Sequence, residues 1–148
     1  MTEDLGTTQI LLDLFNLDGE DQARTDEDIF IGHTPAQNRP RVFGGQVLAQ
    51  SIIAATRTIE PTRAIHSLHG YFLRPGDPNQ TITFGVQRLR DGRSFSARRV
   101  HAYQNGEPIL SMITSFQEPA IGLEHHYPMP IDVPEPESLP TTADLVGH

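Results

Sequence analysis

Apolar positions along this chain follow two different rhythms. Residues 8–17 (TQILLDLFNL) mix aliphatic and polar positions and predict a short amphipathic helix, capped by Thr7 or Thr8. From Gly44 to about Ile59 the chain is apolar nearly all round, interrupted by Gln46, Gln50, Ser51, Thr56 and Arg57. Ile52 and Ile53 are β-branched, but Ala49, Ala54 and Ala55 favour a helix and the run is long for a strand. A helix of this composition has to be enclosed by the rest of the fold. Its only charge, Arg57, lies near the C-terminal end, where the helix dipole favours a cation. After Pro61 the rhythm shortens. AIHSLHGYFLR (64–74), TITFGVQRL (81–89), SFSARRVHAY (94–103) and ILSMITSFQ (109–117) read as strands, with Ile82, Phe84 and Val86 sharing a face. Asp91-Gly92 and Asn105-Gly106 predict two tight hairpins. IFIGH (29–33) predicts a short edge strand, and 18–28 and 34–40 read as loops. One buried helix against an antiparallel meander is an α+β layout. From Pro119 onward, repeated prolines break any regular element, so 1–118 is expected as the folded domain and 119–148 as a linker or tail.

Composition narrows the function classes. A length of 148 residues suits one domain with a core. The net charge of -8 argues against general binding to nucleic acid or anionic membranes, which needs a basic footprint. Every basic residue other than histidine is an arginine, so no lysine is present for Schiff-base chemistry. The absence of cysteine excludes disulfides, thiolate nucleophiles and cysteine-ligated metals. No apolar run approaches the roughly 20 residues that span a bilayer. The acidic, polar start MTEDLGTTQ is unlike a signal peptide, and a cytoplasmic location is expected.

The candidate chemistry begins at Gly44-Gly45. No Ser, Thr, Asp or Asn directly precedes the pair, so the first helical N–H groups lack a side-chain cap. Such groups suit a developing oxyanion, and a glycine lets a carbonyl approach closely. Equally, two glycines let a helix start pack tightly. The helix contains no Asp or Glu, so an acid or base beside those amides has to come from elsewhere. His66 and His69 are three apart on a strand, which predicts opposite faces and no shared metal. His66 alone suits a general base or a structural hydrogen bond. Gln46, Gln50 and Gln117 are amides able to hold a water or a carbonyl. Arg88, Arg90, Arg93, Arg98 and Arg99 make a locally positive region that suits phosphates or a solvated, charge-protected edge.

RVFGGQVLAQS, HSLHGYFLRPGD, LRDGRSFSARRV and ITSFQEPAIGLEH together resemble the N-terminal half of type II acyl-CoA thioesterases, the double-hotdog enzymes of the TesB type. The resemblance covers about residues 40–130. It implies a hotdog fold, a long helix wrapped by a curved antiparallel sheet. It also implies hydrolysis of fatty acyl-CoA to free acid and CoA without a metal or organic cofactor. In the family a second hotdog unit holds the catalytic Asp, Ser/Thr and Gln, and 119–148 resembles the connection leading to it. What carries over is Gly44 and Gly45 as oxyanion donors. His66 and Gln117 follow as weaker catalytic candidates. From the residues themselves, Gln46, Arg88, Arg90 and Arg93 are weaker candidates for substrate contacts.

Two readings follow. In one, the chain is half of an acyl-CoA thioesterase, incomplete alone and active against a second hotdog domain or copy. In the other it is a non-catalytic acyl-CoA binding or assembly module. A hotdog dehydratase ranks last, because the helix offers no acid or histidine. Both leading readings expect a homo-oligomer or a paired unit, since a lone hotdog leaves a helix side and a sheet edge open.

Overall fold

The computed structural model describes residues 4–19, 26–36 and 38–146. Helix α1 (Asp4–Phe15) comes first, so Thr7 and Thr8 stand inside it and neither caps it. A two-residue strand β1 (Asp18–Gly19) lies in the stretch expected as loop and pairs with β2 (Asp28–Gly32). Helix α2 (Gly44–Thr56) is the element predicted from the all-round apolar run. Four strands follow, β3 (Ala64–Phe72), β4 (Ile82–Asp91), β5 (Phe95–Gln104) and β6 (Glu107–Gln117); β4, β5 and β6 form the meander, and β3 crosses over to pair with β6. The sheet is antiparallel throughout, in the order β1-β2-β4-β5-β6-β3. This helix-on-antiparallel-sheet arrangement is the α+β hotdog layout expected from the sequence.

The core forms where α2 meets one sheet face. Val47, Ala54 and Ala55 pack with Phe84, Val86, Val100, Ala102, Leu110, Met112 and Phe116, all buried. The alanines let the helix sit close to the sheet, and the strands supply bulk by period-2 alternation. The expected full enclosure of α2 is not reached. Its largest aliphatic side chains, Leu48, Ile52 and Ile53, are only partly covered. The reason lies at the sheet edge. Strand β3 pairs with β6 alone, and all nine of its residues are exposed.

The two hairpins differ. Asn105 (φ 52°) and Gly106 (φ 77°) make the expected turn with both residues in the left-handed region. The β4–β5 connection is instead three residues, Gly92 to Ser94, closed by Gly92 N–H donating to the Phe95 carbonyl at 2.8 Å. Asp91 belongs to β4 because its carboxylate is taken by Arg98, at 2.7 Å. Arg98 is 1% exposed. Its five guanidinium N–H groups match five contacts: the Thr58 hydroxyl and carbonyl, the Asp91 carboxylate, and the carbonyls of Arg90 and Ala97. Beyond Gln117 the described chain has no further strand, and residues 119–146 are exposed. Two short regular elements appear where none was expected, a 3-10 turn at Pro136–Ser138 and the helix α3 (Thr142–Val146). Helix α3 starts after the last proline, and Thr141 and Asp144 cap it reciprocally.

Arg98→Ala is expected to lower stability by about 3 kcal/mol, since it strands the buried acceptors around Thr58. Asp91→Asn is expected to cost about 1 kcal/mol, because the carboxylate is half exposed. The hydrogen bond from Arg98 holds the Asp91 carboxyl below its ordinary range. Its contribution is therefore complete above an unfolded value of about 3.9 and is lost as pH falls through the lower folded value. Urea unfolding from pH 7 to pH 2 is expected to show wild type and Asp91→Asn converging below about pH 4.

Candidate active site

The N-terminus of α2 is open. Phe43 precedes it in extended conformation (φ -66°, ψ 125°) and offers no side-chain cap. The Phe43 carbonyl accepts from the N–H groups of Gln46 (3.0 Å) and Val47 (3.4 Å). The N–H groups of Gly44 and Gly45 have no hydrogen-bond partner among the described residues. Beside them lies a cleft of about 350 Å³, lined by Gly44, Val47, Phe72, Pro75, Gly76 and Ile109, with Arg41 and Arg74. Two exposed rings flank the glycines. A Cβ on Gly44 would stand 3.0 Å from the Phe72 ring, and one on Gly45 would overlap the Phe43 ring. The cleft wall is held by Gly76, whose carbonyl accepts from Val42 N–H at 2.9 Å. A Cβ on Gly76 would press on both Val42 and Ile109 at 3.3 Å. Val42, Phe72, Gly76 and Ile109 are site residues that sequence reasoning did not single out. The Pro-Gly turn after β3 was the available signal.

The two glutamines of α2 face elsewhere. Gln46 is buried, and its amide donates to the Thr34 hydroxyl at 2.9 Å. Gln50, one turn later and fully buried, donates to the carbonyls of Leu14 (2.7 Å) and His33 (3.1 Å). Its Oε1 is buried with no hydrogen-bond partner among the described residues. Both amides tie α2 to the segment after β2, and Gln50 ties it to α1 as well.

His66 and Gln117 lie at the opposite end of the sheet. Gln117 pairs with Ala64 and Phe95 at the last rung of β6. Eight residues of β6 separate it from Ile109 in the cleft, about 26 Å at strand spacing. His66 sits at an irregularity between Ile65 and Ser67, and its Nε2 lies 2.9 Å from the Ser115 hydroxyl. That irregularity corrects the expectation that His66 and His69 face opposite ways. His69 pairs with Ile113, which shares a face with Ser115, so the extra residue brings both rings to one side. The arginine cluster also divides. Arg88 is committed to Asp28 through two contacts, at 2.8 and 3.2 Å, and that hydrogen bonding raises its pKa further. Arg90 and Arg93 line a separate trough at the β4–β5 end. A single unit thus gathers Gly44 and Gly45 at one end and His66, Gln117, Arg90 and Arg93 at the other.

The helix-start amides can polarise a carbonyl oxygen, and the hydrogen-bonding histidine and glutamine stand too far away to act on the same group. Comparison with known proteins fits this geometry. Residues 32–117 match the family described as the acyl-CoA thioesterase N-terminal domain. The chain is 42% identical over 124 residues to human acyl-coenzyme A thioesterase 8, covering 83% of this chain and 39% of that protein. It is 43% identical over 113 residues to acyl-CoA thioesterase 2 of Haemophilus influenzae, covering 76% of this chain and 40% of that protein. The chain therefore spans about two fifths of these relatives. Among solved structures, the acyl-CoA thioesterase II TesB2 of Mycobacterium marinum superposes with a TM-score of 0.72 at 43% identity, covering 86% of this chain and 46% of that one. The Escherichia coli PaaI protein superposes with a TM-score of 0.61 at 13% identity, covering 78% and 94%. The second likeness is one of fold.

Gln50→Leu is expected to cost about 1–2 kcal/mol, because the Leu14 and His33 carbonyls lose a buried donor. Urea unfolding reads the loss. Amide exchange should rise most along α1, and in β5 and β6 by no more than the loss of global stability requires.

Proposed function

Because the chain belongs to the acyl-CoA thioesterase N-terminal domain family, we propose that it is the first hotdog unit of an enzyme hydrolysing fatty acyl-CoA, completed by a second hotdog unit. The observation that carries this is the uncapped start of α2, with two unpartnered glycine amides beside a cleft. A thioester carbonyl placed there accepts from Gly44 and Gly45 N–H. Water adds to the carbonyl carbon, the amides stabilise the oxyanion, and the tetrahedral intermediate collapses with release of the CoA thiolate. The group that activates the water is absent from α2, so it comes from the second unit. His66 and Gln117 remain candidates for a thioester bound against that second unit's own helix start, not for one held by this unit's glycines.

Strand β3 supports pairing with a further unit. It pairs on one side only, and Leu68, Tyr71, Phe72 and the half-covered Leu48, Ile52 and Ile53 leave apolar surface beside it. A partner laid antiparallel along β3 would cover this surface and bring its own helix start towards His66 and Gln117. In the absence of another unit, a second copy of the chain is the expected occupant. The proposed compartment is the cytoplasm; among the described residues no helix is long and apolar enough to cross a membrane. The second reading, a non-catalytic acyl-CoA binding module, rests on the same missing carboxylate and differs only in turnover.

A thiol-release assay with a medium-chain acyl-CoA separates the two readings. The chain alone is expected to be nearly silent, and mixing or fusing it with a second hotdog half is expected to bring turnover. Rapid turnover by the chain alone would overturn the division of labour, and no turnover with a second half would favour the binding module. In the assembled enzyme, Gly44→Pro removes one amide donor. Proline is tolerated at the first helical position, and Phe43 is already extended. The expected result is a normal unfolding midpoint and a kcat reduced about 100-fold. Sedimentation at micromolar concentration is expected to show a dimer or larger species.

A further inference from the structure

Two irregularities in the sheet fall on the same row of residues. The pairing register links Arg90, Ala97, Ser115 and Ser67 straight across β4, β5, β6 and β3. On β4 the register shifts between Arg88 and Arg90, and on β3 it shifts between Ile65 and Ser67. A bulge re-aims the side chains next to it. The first puts Arg90 on the face of Ala97, away from Arg88 and its partner Asp28. The second swings His66 onto Ser115. Between them the row holds only small residues, which leaves a trough of about 530 Å³ running to the sheet rim at Gly92–Ser94.

The trough is chemically consistent along its length. The guanidinium groups of Arg90 and Arg93 make no hydrogen bond or ion pair among the described residues, whereas those of Arg57, Arg63, Arg74, Arg88, Arg98 and Arg99 all donate to protein acceptors. Gly92 lies between the two; a Cβ there would stand 3.1 Å from the Arg90 Nε. The acids on this rim are already matched, Asp91 by Arg98 and Glu118 by Arg63 at 3.3 Å. A positive surplus is left in a protein of net charge -8. The half-exposed Phe95 ring lies beside it, edge-on to His66 at 5.8 Å between centroids. Free guanidinium groups recognise phosphates, and aromatic faces accept a nucleobase.

We infer that this rim trough binds a phosphorylated nucleotide, the adenosine bisphosphate end of coenzyme A. Arg90 and Arg93 hold the phosphates, and Phe95 packs the adenine. The choice of CoA as source rests on the thioesterase reading above; the trough's preference for phosphate beside an aromatic ring does not. The trough shares its end of the sheet with Gln117, so it serves a substrate whose thioester lies against the glycines of the second unit.

The test is calorimetric titration of the full chain with adenosine 3′,5′-bisphosphate, CoA, AMP and pantetheine. Adenosine 3′,5′-bisphosphate and CoA are expected to bind comparably, AMP at least 10-fold more weakly, and pantetheine not to saturate. The double variant R90Q/R93Q is expected to lose at least 10-fold in affinity for both bisphosphate ligands with an unchanged unfolding midpoint. Phe95→Leu is expected to weaken adenosine 3′,5′-bisphosphate while leaving competition by inorganic pyrophosphate unaltered. Unchanged affinity in R90Q/R93Q overturns the site, and AMP binding as tightly as CoA overturns the choice of ligand. The assembled enzyme separates this from the catalytic reading. Turnover with a KM insensitive to R90Q/R93Q rejects the trough alone. Absent turnover with arginine-dependent CoA binding rejects hydrolysis alone.

Discussion

The structure depends on how α2 is fastened. At its C-terminal end, the buried Arg98 guanidinium grips the Thr58 hydroxyl and carbonyl, and Arg57 donates to the Leu17 carbonyl. These cations sit where the helix dipole is negative. In the middle, Gln50 holds α1 and the segment after β2. At the N-terminal end nothing caps the chain. A helix tied at one end and along its length can leave its other end open without fraying, because the core contacts of Val47 and Ala54 fix its axis. The open end is where the amides of Gly44 and Gly45 stay without a partner among the described residues.

The sheet shows a comparable asymmetry. Among the described residues four strands are paired on both sides; the two edge strands are the two-residue β1 and the nine-residue β3. The groups with chemical potential divide between its two ends, glycine amides near Phe72 and the histidine, glutamine and free arginines near Ala64. A single unit therefore holds these two groups of residues about 26 Å apart along β6, in a sheet with β3 at its edge. An antiparallel pairing across that edge superimposes one end on the other. The same constraint explains why the missing carboxylate in α2 does not by itself argue against catalysis.

Much of this was legible in the chain. The change of apolar rhythm at Pro61 marked the passage from helix to meander, and Asn105-Gly106 marked a turn whose two positive φ values only such residues adopt readily. The lack of a capping residue before Gly44 announced the open helix start. Other features were hidden because they depend on partners far away in sequence. Asp91-Gly92 looked like a tight turn, yet Arg98 draws Asp91 back into the strand. Strict alternation put His66 and His69 on opposite faces, and a single extra residue reversed it. The short strand Asp18–Gly19 carries no apolar signal, and exists because β2 presents it with an edge.

By itself the sequence determined the helix α2, the four strands after Pro61, and that the helix start would offer bare amides beside no acid of its own. Local propensity and period are properties of neighbouring residues, so they can be read in order along the chain. Tertiary structure alone decided that Gln46 and Gln50 serve the scaffold, that Arg88 is bound while Arg90 and Arg93 stay free, and that Gly44 and Gln117 lie at opposite ends of one sheet. Each of these depends on strand register and on pairs up to 60 residues apart, such as Arg88 with Asp28, and a shift of one residue in register reverses which face a side chain takes.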